Sequence, residues 1–172
     1  TSAPSLLDRG QSDGVSDRYV KIQDRGELTV LGDRTVPVAP WLAEVLRHVE
    51  GETVSAITMD RYKQAELSEG LNRAGIRAPL AWRGQGFRDG GEDCERFRRA
   101  VFDGQVKAEP SLLLRSAFAD AVCKRDDANN LKLTKARSTG RIDAASATVL
   151  AVAQGARISA QPRQKARIHW MT

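Results

Sequence analysis

The segment from Arg141 to Ala153 constrains the fold more than any other stretch of this chain. It is rich in small residues, above all alanine. Its apolar side chains recur near helical spacing at Ile142, Ala145, Val149, Val152 and Ala153. That periodicity predicts a helix with one apolar face. Because the side chains are small, such a helix is expected to lie close against another element.

Asp143 lies in the first turn of this predicted helix. A carboxylate there is stabilised by the unpaired backbone N–H groups and by the positive end of the helix dipole. Asp143 is therefore either a helix-start residue without chemistry or a functional acid. Two features favour the functional role: a basic, glycine-containing loop precedes the helix, and a second acid lies far upstream at the end of a predicted strand.

That second acid is Asp60, the last residue of an apolar run, rich in β-branched residues, that begins at Val54. Such a run predicts a buried central strand. Ligand and catalytic groups of α/β sheets collect at the C-terminal ends of strands. Asp60 and Asp143 are therefore a candidate pair of hard oxygen ligands for Mg²⁺ or Mn²⁺. Asp60 as a simple helix cap is the alternative, and spacing alone leaves both interpretations open.

Composition predicts one soluble domain with a polyanionic partner. A chain of 172 residues, 41% hydrophobic and 28% charged, is of ordinary composition and large enough to bury a core. The net charge of +5 favours polyanions such as nucleic acid. No apolar run reaches membrane-spanning length. Cys94 and Cys123 suggest neither a zinc motif nor a disulfide framework, so a reduced cytoplasmic setting fits best.

Helical and strand patterns alternate along the chain, which predicts an α/β fold with few strands. Tyr19–Ile22 and Leu28–Leu31 are interpreted either as a hairpin or as a helical end followed by one strand. The other predicted elements are a short helix around Leu6 and Leu7, a helix from Pro40 to Gly51, a helix ending at Gly75, a strand at 79–83, a helix with Cys94, Phe97 and Val101 on one face, and a helix opened by Pro110.

Two polar stretches resemble ligand-binding loops but lack the required residues. Gly84–Gly91 has no following Lys-Ser or Lys-Thr, so it is not a Walker phosphate loop and is interpreted as a flexible connection. Asp126–Asn130 lacks the glycine and glutamate of a calcium loop and is interpreted as a turn. The whole stretch 124–140 is polar, and its last part, which carries Lys135 and Arg137, is interpreted as a loop before the small-residue helix.

Several motifs follow one another in a particular order from about Gly26 to Gly155. A strand ends in Asp60, and after a helix a second strand leads into Gln85-Gly86-Phe87. Further along come Asp103–Val106, Ser116–Val122, Asn129–Lys135 and Gly140–Ala145 with its small-residue helix. In this order the motifs resemble the C-terminal nuclease domain of the large terminase subunit of tailed bacteriophages.

The resemblance implies a ribonuclease H-like fold, an α/β mixed sheet flanked by helices, and a DNA endonuclease that depends on Mg²⁺ or Mn²⁺. Asp60 and Asp143 would be catalytic metal ligands, and Lys135, Arg137 and Arg141 would lie near the DNA path. The family cuts concatemeric viral DNA during packaging. The implied partners are double-stranded DNA, the terminase ATPase domain, the small terminase subunit and the portal, in the bacterial host cytoplasm and away from membranes.

The chain departs from the family pattern at its start. The family's first acid lies on the first strand, whereas Asp8, Asp13 and Asp17 lie in polar stretches. We therefore expect a nuclease-like domain at 1–155 that lacks its first strands, and a basic tail at 156–172. The strand ending at Asp60 should then have an open or unusually covered edge.

Two other functions remain open from the sequence. The basic charge also suits a non-catalytic DNA-binding or docking module, whose affinity for duplex DNA would depend on salt. An inactive prophage remnant is the third interpretation. An upstream reading frame with a Walker motif and an acid-bearing strand would favour the nuclease fragment.

Overall fold

A computed structural model describes residues 3–61 and 64–160, without the side chain of Arg137. Its helices are α1 (Leu6–Ser12), α2 (Arg18–Asp24), α3 (Val38–His48), α4 (Gln64–Arg73), α5 (Phe87–Phe102), α6 (Leu112–Ala119) and α7 (Asp143–Ala160), with a 3-10 helix at Lys135–Arg137. Its strands are β1 (Ile57–Asp60), β2 (Leu80–Arg83), β3 (Val122–Arg125) and β4 (Leu131–Thr134). The α/β class predicted from the sequence is confirmed.

The strands form two separate two-stranded sheets. β1 and β2 are parallel, and their last residues, Asp60 and Arg83, are partners in the register. β3 and β4 form an antiparallel hairpin in which Lys124 lies opposite Lys132. Within the described residues, β1 pairs with no strand other than β2. Because β1 is half-buried along its whole length, the prediction of a fully buried central strand was wrong.

The core is centred on α7, which packs mainly on α5 and also contacts α6 and β1. Ala145, Val149 and Ala153 recur every fourth residue and are buried, as is Ile142 immediately before the helix. This confirms the predicted apolar face, although Val152 at its edge is only half-buried. The helix continues past residue 155 to Ala160, so Arg157 is helical. Residues 161–172 of the predicted basic tail lie outside the described part.

Two glycines let β4 lie close to α5. A side chain at Gly91 would place its Cβ 3.2 Å from the Cβ of Asn130, and one at Gly90 would be 3.5 Å from that of Lys132. Both glycines lie inside α5, which begins at Phe87. The interpretation of Gly84–Gly91 as a flexible connection was therefore wrong beyond Gly86.

Of the two alternatives for the segment 19–31, the helical end is confirmed, whereas the hairpin and the strand at Leu28–Leu31 are wrong. Tyr19–Ile22 lies within α2, and Leu28–Leu31 forms no strand. Ile22 is 1% exposed and anchors α2 in the core. The short helix around Leu6 is confirmed as α1, whose start is held by a capping box between Ser5 and Asp8. Helical packing thus decides a segment whose periodicity was ambiguous.

Two further predictions fail around α5 and the hairpin. Val101 was expected on the inward face of α5 but is 46% exposed, whereas Ala100 is buried. No strand was predicted in the polar stretch 124–140, but it contains β4 and part of β3. The predicted turn at Asp126–Asn130 is confirmed, because the Asp126 carboxylate accepts a hydrogen bond from the Asn130 backbone N–H at 2.7 Å.

Candidate functional site

Asp60 ends β1 beside the loop that follows β2. Its carboxylate accepts a hydrogen bond from the Gln85 amide. That loop is fixed in turn, because the Gly84 N–H donates to Asp89 Oδ2 at 2.7 Å. This bond lowers the pKa of Asp89. Asp60 therefore lies at the strand-end position predicted from the sequence, held by a loop that α5 anchors.

Asp143 is the first residue of α7, as predicted. Its carboxylate forms an ion pair with the Lys135 ammonium from the 3-10 helix. The side chains are 65% and 66% exposed, respectively. Exposed ion pairs contribute little to stability and are readily exchanged. Asp143 is thus accessible from solvent and is paired with a cation that another cation could displace.

Asp60 and Asp143 line the same open cavity of about 440 Å³ although 83 residues separate them in sequence (143 − 60). The apolar part of its wall includes Leu133, Ile142 and Val149. Within the described residues, no group of three or more His, Cys, Asp or Glu side chains is arranged to hold a metal ion. The roles of Asp60 and Asp143 as metal ligands therefore stay predictions.

A third carboxylate on the cavity wall, Asp93 of α5, was missed by sequence reasoning. It is 1% exposed and forms ion pairs with Arg83 and Arg157. Its position could have been found from helical spacing, since Asp93 lies seven residues before the buried Ala100. Both of its oxygens accept hydrogen bonds from guanidinium groups, so Asp93 is committed to that network.

The three basic residues predicted to lie near DNA have different surroundings. Lys135 is paired with Asp143, as described above, and the side chain of Arg137 lies outside the described part. Arg141 donates to both oxygens of Asp13, at 2.7 and 3.2 Å. This contact with Arg141 lowers the pKa of Asp13. Arg141 thus ties the start of α7 to the N-terminal helices, and its role toward DNA stays a prediction.

The β3–β4 hairpin adds two basic residues from a stretch that the sequence analysis described only as polar. Lys132 lines the cavity, donates from Nζ to the Gln85 carbonyl at 3.1 Å and lies 4.7 Å from the centre of the Phe87 ring. Lys124 lies opposite Lys132 in the register. Like charges placed directly opposite each other destabilise a sheet. An anion at this surface would relieve that repulsion.

No described helix has the length and the apolar character needed to cross a membrane.

Comparisons with known proteins agree with the resemblance. Residues 12–158 match the family described as terminase large subunit, endonuclease domain. The terminase large subunit of Enterobacteria phage HK97 is 27% identical over 111 residues, which are 64% of this chain and 22% of that protein. The crystal structure of the HK97 bacteriophage large terminase superposes with a TM-score of 0.78 at 25% identity, covering 87% of this chain and 31% of that one.

The chain thus spans less than a third of the length of the relatives it matches. The family match covers most of its own length and includes both Asp60 and Asp143. The fold similarity covers most of the chain as well. The chain belongs to the family of terminase large subunit endonuclease domains.

Proposed function

We propose that this chain is the metal-dependent, ribonuclease H-like endonuclease domain of a phage DNA-packaging terminase, and that it cuts concatemeric double-stranded viral DNA. The observation that carries the proposal is that Asp60, at a strand end, and Asp143, at a helix start, line one solvent-open cavity. Carboxylates on separate elements that face one cleft are suited to bind a divalent cation. The family membership supports the same reaction.

The donor set suits Mg²⁺ or Mn²⁺, which prefer carboxylate and water oxygens. Asp60 and Asp143 would hold the ion, and water would complete its coordination. When bound, such an ion activates a water molecule and stabilises the leaving oxygen of the phosphodiester. Two ions about 3.5–4 Å apart usually require more carboxylates. The proposal for the described residues is therefore one ion held by two acids.

The chain's own residues would orient these acids and the DNA. Gln85 holds the Asp60 carboxylate, whereas Lys135 pairs with that of Asp143 and would release it when the ion binds. In the complex, Lys135, Arg137 and Arg141 would contact phosphates along the entrance to the cavity. Lys132 and Lys124 would extend that basic surface along the hairpin. The ATPase domain, the small terminase subunit and the portal are proposed partners of the intact terminase.

Plasmid nicking with Mn²⁺ tests the proposal. Wild-type chain should convert supercoiled plasmid to nicked circles, and Asp143→Asn should abolish this because one metal ligand loses its charge. Asp127→Asn is the matched control, since Asp127 is an exposed acid in the hairpin turn and outside the cavity. Equal nicking by wild type and Asp143→Asn would refute the assignment of Asp143.

A non-catalytic DNA-binding module is the second candidate, and it is favoured by the lack of a three-ligand metal group in the described part of the chain. Duplex affinity that EDTA leaves unchanged, without any nicking, would support it. Replacing Lys135, Arg137 and Arg141 together by Ala should flatten the log–log dependence of affinity on salt by about 0.9 per lost phosphate contact. An unchanged slope would leave these three residues with no contact to DNA.

A further inference from the structure

Among the described residues, one carboxylate is fully buried, that of Asp93. It is not one of the two proposed metal ligands. Arg83 donates to the two oxygens of Asp93, from Nε at 3.2 Å and from Nη2 at 3.1 Å. Arg157 donates to the same carboxylate. Charge-assisted bonds to a planar guanidinium fix both distance and direction. Asp93 therefore joins β2 and α7 through α5.

On one side the network reaches Asp60. Arg83 ends β2 and is the register partner of Asp60. Its Nη2 also donates to the Asp89 carbonyl at 3.3 Å. The carboxylate of Asp89 holds the backbone N–H of Gly84, and the next residue, Gln85, donates to Asp60. Hydrogen bonds at Asp89 and Gly84 thus link Arg83 to the loop that orients Asp60.

On the other side the network reaches the helix that begins at Asp143. Arg157 lies 14 residues farther along α7 (157 − 143), or about 21 Å along its axis. The buried face between them consists of Ala145, Val149 and Ala153. Small apolar side chains allow close approach but provide few directional contacts. Because the hydrogen bonds of Arg157 are directional, they can fix the position of α7 along its own axis relative to α5.

We propose that Asp93 is a positioning residue, which holds Arg83 and Arg157 together and thereby sets the spacing between Asp60 and Asp143. The inference rests on the proposed function, because that spacing matters to metal binding only if the two acids share an ion. Asp93 acts through the elements that carry those acids and does not bind the ion itself. Glu92 also pairs with both arginines, at 3.0 and 3.5 Å, but its side chain is 44% exposed. Asp93 is 1% exposed, so its bonds to the two arginines are the ones shielded from water.

The test is Mn²⁺ affinity, measured by calorimetry on the wild-type chain, Asp93→Asn and Ile22→Ala. Asparagine keeps the shape of Asp93 but removes its charge. We expect a loss of about 10- to 100-fold in affinity, which is typical when a partner that orients metal ligands is removed. Ile22→Ala is the stability control, since Ile22 is equally buried but does not line the cavity. It should bind Mn²⁺ as the wild type does.

Three results would overturn the inference. Wild-type affinity in Asp93→Asn would remove the positioning role, and an equal loss in Ile22→Ala would reduce the effect to general stability. Absence of Mn²⁺ binding in the wild type would refute the proposed function together with the inference, and that failure is recognisable because it occurs before any substitution. If Asp93→Asn does not fold, Arg157→Gln, which leaves the Arg83 pair in place, is measured with the same expectation.

Discussion

Asp93 and Asp143 border the same cavity, and both are paired with basic side chains, yet their surroundings are opposite. Asp93 is 1% exposed and is held by two arginines, whereas the Asp143 side chain is 65% exposed and meets one flexible lysine. Water is excluded from the first pair and screens the second. Ion pairs therefore hold the Asp93 side chain firmly in place, whereas the ion pair of Asp143 leaves its carboxylate free to exchange Lys135 for another cation.

The physical reason is the cost of removing charge from water. Burying a carboxylate costs several kcal/mol of desolvation free energy, which its ion pairs offset. Removing one partner of a buried ion pair therefore lowers the stability of the folded state. An exposed pair contributes about 0–1 kcal/mol and is weakened by salt. Burial also acts on Arg83: desolvation alone lowers its pKa, but the hydrogen bonds that Arg83 donates to Asp93 and Glu92 outweigh that effect and raise the pKa.

The largest expected effect on stability comes from removing the charge of the buried Asp93. Asp93→Asn should lower the free energy of unfolding by about 3–5 kcal/mol, because the two guanidinium groups lose a fully buried counter-charge and keep Glu92, whose side chain is 44% exposed. Asp143→Asn should change it by no more than about 0.5 kcal/mol, as is usual for a surface substitution. Urea unfolding of both variants measures the difference. Similar losses in the two variants would contradict the contrast drawn between the two acids.

An intermediate effect on stability is expected at Glu27, whose side chain is more exposed than that of Asp93 and less exposed than that of Asp143. Its Oε2 accepts hydrogen bonds from the Leu113 N–H at 2.8 Å and from Ser111 Oγ at 2.7 Å, holding the start of α6. The backbone bond from Leu113, then those from Arg25 and Ser111, lower the pKa of Glu27 from 4.5 to about 2.

Since the folded-state pKa is lowered, the stabilisation by Glu27 is complete above pH 4.5 and is lost as the pH falls toward 2. Glu27→Gln should therefore be less stable than the wild type near neutral pH, and the gap should narrow across this range. Thermal melts of both chains at several pH values measure it. A gap that does not change between pH 5 and pH 2.5 would show that ionisation of Glu27 contributes nothing.

The smallest effect on stability is expected at the exposed pair. Lys135→Met should change the free energy of unfolding by less than about 1 kcal/mol. Mn²⁺ affinity should rise, because the ammonium no longer competes for the Asp143 carboxylate. Lys107→Met, at an exposed loop position, is the matched control for loss of a positive charge. Weaker Mn²⁺ binding by Lys135→Met would mean that the lysine supports the site in place of competing for it.

Much of the fold was predictable because its longest helices have strong periodicity. α7 was found from the recurrence of Ala145, Val149 and Ala153, and β1 and β2 from short apolar runs. The β3–β4 hairpin was missed because Lys124, Arg125 and Lys132 give it the polarity of a loop. The hairpin considered at Tyr19–Leu31 was wrong because tertiary packing of Ile22 decided between two equally good local patterns.

The residues of the candidate site were predictable from the sequence only where they lie at the end of a strand or the start of a helix. Asp60 and Asp143 were identified because strand ends and helix starts carry functional acids. Asp93 was not, because a charged residue inside a helix usually faces solvent. Its partners lie 10 and 64 residues away in sequence, so no local pattern indicates the pairing.

The most direct test of the account is a crystal structure of the chain grown with Mn²⁺, with the ion located by anomalous scattering. The account predicts one ion within about 2.0–2.6 Å of an oxygen of Asp60 and an oxygen of Asp143. Lys135 should have moved away from the Asp143 carboxylate to admit it, while Asp93 stays bonded to Arg83 and Arg157. An ion bound to only one of Asp60 and Asp143, or to neither, would contradict the proposed site.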